Sequence, residues 1–88
     1  MTDPELLSLV RQGQRWAIAA RQDRDPVVQH VHWNYAHVHF ELAHHGASRA
    51  RIRQLTGVDI DAALAEVAAA QQRVQLQLLT ATGSPAWR

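Results

Sequence analysis

The chain reads as four runs of helical periodicity separated by turn residues. In the first run, apolar or small residues recur at Leu6, Leu9, Val10, Gly13, Trp16, Ala17 and Ala20. Steps of three and four place them on one stripe of a 3.6-residue helix. Asp3-Pro4-Glu5 supplies a capping residue, a proline for the first turn and an acid for the positive end of the helix dipole. Gly13 lies within the stripe, where it costs about 1 kcal/mol of helix propensity relative to alanine. Close approach of a second helix is the compensation that position predicts. The polar run Arg21 to Arg24 ends the first helix.

Asp25-Pro26 repeats the start signal, and a second helix is expected from there to about His45, with Gly46 as its stop. Ser48 caps a short third helix anchored by Ile52 and Leu55 and stopped by Gly57. Asp59 opens a long fourth helix, in which Ile60, Leu64, Val67, Gln71, Val74 and Leu78 form a heptad-like seam with one polar interruption. Gly83 and Pro85 break the pattern, so residues 81–88 are expected to form an irregular tail whose Trp87 docks on the helical body or on a neighbouring chain. Neither strand-like alternation nor an internal repeat appears. The expected architecture is one all-α domain over residues 1–88, with three long helices and one short, in a compact, bundle-like four-helix arrangement.

Size adds a constraint. A chain of 88 residues lies near the low end for a self-sufficient core, where partner chains, metals or disulfides commonly add stability. The chain has no cysteine, which removes disulfides, thiolate catalysis and Cys-type zinc sites, and fits a reducing compartment. The Trp16 stripe and the fourth-helix seam together look like more apolar face than one short chain can cover. The expectation is therefore a homo-oligomer, a dimer by preference, or a complex with another protein. Trp16, Ile60, Leu64, Val67, Val74 and Leu78 would lie at the contact, with Gln71 or the histidines of the second helix near a symmetry axis.

Net charge is +1 with neutral histidines, which gives no electrostatic case for nucleic acid. Every basic residue is arginine and alanine is abundant, a bias that fits a GC-rich bacterial genome better than a function. The amino-terminal residues lack the basic flank and apolar run of a secretory signal, and no apolar run is long enough to span a membrane. A cytoplasmic protein without membrane contact is the expectation.

The chemistry concentrates in one segment. All six histidines fall between His30 and His45. At about 100° per residue, His30, Asn34, His37, Glu41 and His44 share one strip of the second helix. Val27, Val31, Val38 and Leu42 flank it on one side, and Trp33 and Phe40 on the other. If that broad apolar arc is buried, the polar strip is buried with it and must be hydrogen-bonded. Three roles fit: a structural network bonded to Gln71 or to symmetry-related copies of the strip, a zinc or iron site built from His37, Glu41 and His44 or shared across a two-fold axis, or a pH-sensitive or ligand-contacting surface. Glu41-Leu42-Ala43-His44 has the Glu-x-x-His spacing of carboxylate-bridged di-iron bundles, but the fourth helix does not supply the further carboxylates on its apolar seam. No cofactor is required by the structural reading. His32 and His39 point the opposite way, toward solvent or a second interface.

Arg49, Arg51 and Arg53 lie ahead of Gly57 in an arrangement that superficially looks like the start of a helix-turn-helix. The following helix opens with Asp59, Asp61 and Glu66, carboxylates where phosphate contacts would be needed, which argues against nucleic acid. No serine sits in a nucleophile-elbow context and no glycine-rich phosphate loop is present. The reading that follows is a small non-enzymatic helical binding or regulatory module acting through self-association or a protein partner. A histidine-and-carboxylate metal protein and a minimal DNA-binding regulator are its alternatives.

Overall fold

The structure, a computed structural model, describes residues 1–82; the expected docking of Trp87 lies outside them. Helix α1 spans Asp3–Gln22, α2 Pro26–Gly46, α3 Arg49–Thr56 and α4 Ile60–Thr82. The fold is a compact all-α four-helix arrangement, with no strand among the described residues. Helix α4 runs through Thr82, past the start of the tail expected at residue 81.

The caps follow local chemistry. Thr2, not Asp3, caps α1: its hydroxyl oxygen accepts from the Glu5 backbone N–H at 3.3 Å and donates to Glu5 Oε1 at 2.9 Å. Thr-x-x-Glu is the sequence of a capping box, here with Glu5 accepting from the threonine hydroxyl, and the cap falls one residue ahead of the expected aspartate. Asp25 Oδ1 accepts from the Val27 N–H at 2.8 Å, Ser48 Oγ from the Arg51 N–H at 3.1 Å, and Asp59 Oδ1 from the Ala62 N–H at 3.1 Å. Gly57 ends α3 in the left-handed region at φ 76°, its N–H bonding to the Arg53 carbonyl at 2.8 Å. Gly46 is different. It is the last helical residue of α2, and the chain leaves through an extended Ala47 (φ −157°, ψ 162°). A Cβ there would meet only the end of the exposed, flexible Met1 side chain, which can move aside, so the position does not demand glycine.

Helices α1 and α4 both pack along α2, and α3 bridges one end. The core takes Leu6, Val10, Ala17 and Ala20 from α1, then Trp33, Ala36, Phe40 and Ala43 from α2. Ile52 of α3 and Ile60, Val67, Ala70 and Val74 of α4 complete it. The fourth-helix seam, expected at an intermolecular contact, is thus used inside the chain. Ile60, Val67 and Val74 are buried, and Leu64, Leu78 and Trp16 are partly buried against the same core. The two stripes that seemed too much for one chain are both covered because α2 lies between them and offers each a side.

Gly13 shows what holds α1 against α2. The Phe40 ring lies on its bare backbone, and a Cβ at Gly13 would sit 2.5 Å from Phe40 Cε1. Phe40 is itself buried, so displacing the ring gives up core contacts. Gly13→Ala is therefore expected to lower stability by about 1–3 kcal/mol through overpacking, despite the roughly 1 kcal/mol that alanine adds in helix propensity. Thermal unfolding followed by circular dichroism checks the sign. Adding Phe40→Leu should recover part of the loss.

Candidate functional site on the second helix

The bundle is 52 Å long and 17 Å across, so α2 has one side toward the core and one toward solvent. Its core side is Trp33, Ala36, Phe40 and Ala43. The valines do not join them. Val28, Val31, Tyr35, Val38 and Leu42 are 38%, 38%, 45%, 50% and 51% exposed, and Val27 57%. The apolar arc expected to bury the histidine strip therefore splits into a buried half and an exposed half, and the strip lies along the boundary between them. Helix α2 carries apolar residues on both sides of that strip, so rotating it changes which set is buried without leaving the core empty.

His30, Asn34, His37, Glu41 and His44 are all half-buried. Asn34 Oδ1 accepts from Gln71 Nε2 of α4 at 2.8 Å, and Asn34 Nδ2 lies 3.4 Å from His30 Nε2. That is as far as the network extends. The Nδ1 atoms of His30, His37 and His44, spaced by seven residues, are buried without a hydrogen-bond partner. Glu41 turns along its own helix to His45, Oε2 to Nε2 3.3 Å. His37 and His44 are two turns apart, about 10 Å along the axis, whereas nitrogen ligands of one zinc ion lie about 2 Å from it. Among the described residues, no set of three or more histidine, aspartate or glutamate side chains is placed to hold a metal ion.

On the other edge of the exposed stripe, the structure adds a cluster that periodicity did not reveal. His32 Nδ1 lies 2.5 Å from Asp23 Oδ2, so His32 is held across the α1–α2 turn and does not face open solvent. Its ring lies 5.0 Å from that of Trp16, which meets Tyr35 edge-on at 4.8 Å. Asp23 also terminates α1 through its backbone N–H. His39 Nδ1 lies 2.7 Å from the Tyr35 carbonyl oxygen. Asp23 and His32 are nine residues apart on either side of a turn, a separation that no single-helix pattern marks.

The arginines considered for phosphate contact are each beside a carboxylate. Arg49 Nε lies 2.9 Å from Asp61 Oδ2, Arg53 reaches Asp59 at 3.8 Å, and Arg51 pairs with Asp3. The acids at the head of α4 are thus partners of two of these arginines. The hollow between α1 and α4, about 190 Å³, is lined by Gln14, Ala17, Ile18, Phe40, Ala63 and Glu66 among others. It is smaller than ordinary small-molecule pockets, which begin near 300 Å³. No helix among the described residues is long and apolar enough to cross a membrane.

A wider hollow, about 710 Å³, opens along α1 and is lined by Leu7, Arg11, Arg15, Trp16 and Ala19 among others; the exposed apolar side chains concentrate on the outer stripe of α2. Val28, Val31, Tyr35, Val38 and Leu42 step by three, four, three and four residues, the spacing of a two-helix contact seam. With Val27 they expose on the order of 450 Å² of apolar surface, the size of the largest patch on a typical monomer and often a functional one. No family model, curated protein or solved structure matches this chain.

The Asn34–Gln71 bond is the one side-chain hydrogen bond described between α2 and α4. Gln71→Leu leaves the half-buried Asn34 without its donor and is expected to cost about 1 kcal/mol. Asn34→Leu combined with Gln71→Leu should lie closer to the parent than the two single losses added together. Urea midpoints of the four proteins measure the coupling, and strictly additive losses would show that the bond contributes nothing.

Proposed function

We propose that this protein is a non-enzymatic docking module that engages a helix of another protein chain through the outer stripe of α2. The observation that carries this reading is the coincidence of exposure and register. The chain completes its core with other residues, yet five apolar side chains remain outside it in uninterrupted heptad steps. Random surface apolars are scattered singly; these share one face of one helix. A helix laid along them would meet an apolar seam with polar borders, His32 and His39 on one side and Asn34 and Glu41 on the other. That is the helix-against-helix recognition mode read from anchors at spacings of three and four. The stripe falls below the roughly 800 Å² per partner of a standard interface, so the contact is expected to be reversible.

A photoreactive benzoylphenylalanine at Tyr35 tests this in cells, since that side chain is exposed at the centre of the stripe. Irradiation should yield a cross-linked product of discrete mass. The same group at Gln72, an exposed position on α4, should not. If Tyr35 gives no product above the Gln72 control, the docking reading is wrong.

A further inference from the structure

We infer that the occupant of the α2 stripe is a second copy of this chain, packed with its α2 antiparallel to the first. The inference rests on the docking reading and adds the partner and its orientation.

Size matching within the stripe selects the orientation. In an antiparallel pair whose two-fold axis crosses α2 between Ala36 and His37, Tyr35 faces Val38 of the second copy and Leu42 faces Val31. Each layer then joins a large side chain to a small one, and the symmetry repeats every layer. In a parallel, in-register pair, Tyr35 meets Tyr35 and Leu42 meets Leu42, while Val31 and Val38 meet themselves. Overfilled layers would alternate with underfilled ones, and both departures from close packing are destabilising.

Polar groups at the ends of α2 point the same way. Exposed Asp25 caps its amino end, and His44 and His45 occupy its last turn. His45 falls on the next seam position after Leu42. Antiparallel packing sets that imidazole over Val28 of the second copy, beside the Asp25 end, and opposes the two helix dipoles. Parallel packing stacks His45 on His45 and like end on like end. Area is also sufficient for a modest dimer. Two stripes of on the order of 450 Å² each, with the bordering His39, Asn34, Glu41 and His45 side chains at the rim, approach the lower end of specific interfaces at about 1,200 Å² in total.

The test combines mass and distance on the intact chain. Sedimentation equilibrium from low to high micromolar concentration should show a monomer–dimer equilibrium. The chain has no native cysteine, so a single spin label can be placed through Arg24→Cys, an exposed position just ahead of α2. In the antiparallel dimer the two labels lie about 35–40 Å apart, from a rise of 1.5 Å per residue on each side of the axis. A parallel dimer would bring them within about 20 Å. Val38→Asp should weaken the dimer at least about 100-fold, the effect of an unpaired charge in a buried seam. Its circular dichroism should be unchanged, because Val38 is half-exposed in the single chain. Val31→Gln gives the same reading should the aspartate perturb the helix.

A single-chain mass at every concentration overturns the second copy as partner. A Tyr35 cross-link to a chain of another mass would then leave the docking reading standing, whereas no cross-link would remove both. A dimer with the short label distance overturns the antiparallel arrangement. A dimer that survives both Val38→Asp and Val31→Gln places the contact somewhere other than the α2 stripe.

Discussion

The contact on which the rest of this structure depends is the Phe40 ring lying on the backbone of α1 at Gly13. It fixes two quantities at once, the separation of α1 from α2 and the rotation of α2 about its own axis. With Phe40 turned inward, Trp33, one helical repeat earlier, is turned inward too, and Ala36 and Ala43 close the same side. Asn34 then comes within reach of Gln71 on α4. The valines, about half a turn away, have nowhere to go but out. Helix α2 thus supports both long neighbours with one side and presents the other to solvent.

The same rotation sorts the histidines. His30, His37 and His44 fall at the margin of the core, each with a buried Nδ1 that finds no partner. His32 and His39 fall at the opposite margin, where Nδ1 is taken up by Asp23 and by the Tyr35 carbonyl. A concentration of imidazoles in sequence therefore becomes two separated columns in space. Seven-residue spacing, which lines side chains up along a helix, also keeps them about 10 Å apart. That is why a segment so rich in potential ligands places no three of them around one point. The arginines of α3 tell a parallel story: a basic run in the sequence is, in the fold, a set of ion pairs with Asp3, Asp59 and Asp61.

Much of the architecture was legible because it is encoded locally. Asp25-Pro26, Ser48, Gly57 and Asp59 mark helix boundaries with side-chain or backbone chemistry confined to a few residues, and Gly13 announced a close approach that Phe40 makes. The first cap lies one residue ahead of the expected Asp3, because the Thr2 hydroxyl and Glu5 bond to each other. The less legible feature was the rotation of α2. Val28, Val31, Tyr35, Val38 and Leu42 form as regular a stripe as the residues that pack inward, so periodicity gave no reason to prefer either face. The Phe40 ring on the bare backbone of Gly13 and the Asn34–Gln71 bond mark the face that packs inward. The histidine site inherited that ambiguity. The Asp23–His32 pair was invisible for a different reason: it crosses a turn and obeys no helical repeat.

The central claim is that α2 has one structural side and one free side, and side-chain truncation at low micromolar concentration, where a weak dimer is dissociated, tests it most directly. Phe40→Ala should cost about 3–5 kcal/mol in denaturant unfolding, the loss expected for a buried aromatic. Val38→Ala, two residues earlier, should leave stability unchanged or raise it by about 0.5 kcal/mol through alanine's helix propensity. Comparable losses at the two positions would contradict the account, because they would place the valine stripe in the core of the single chain.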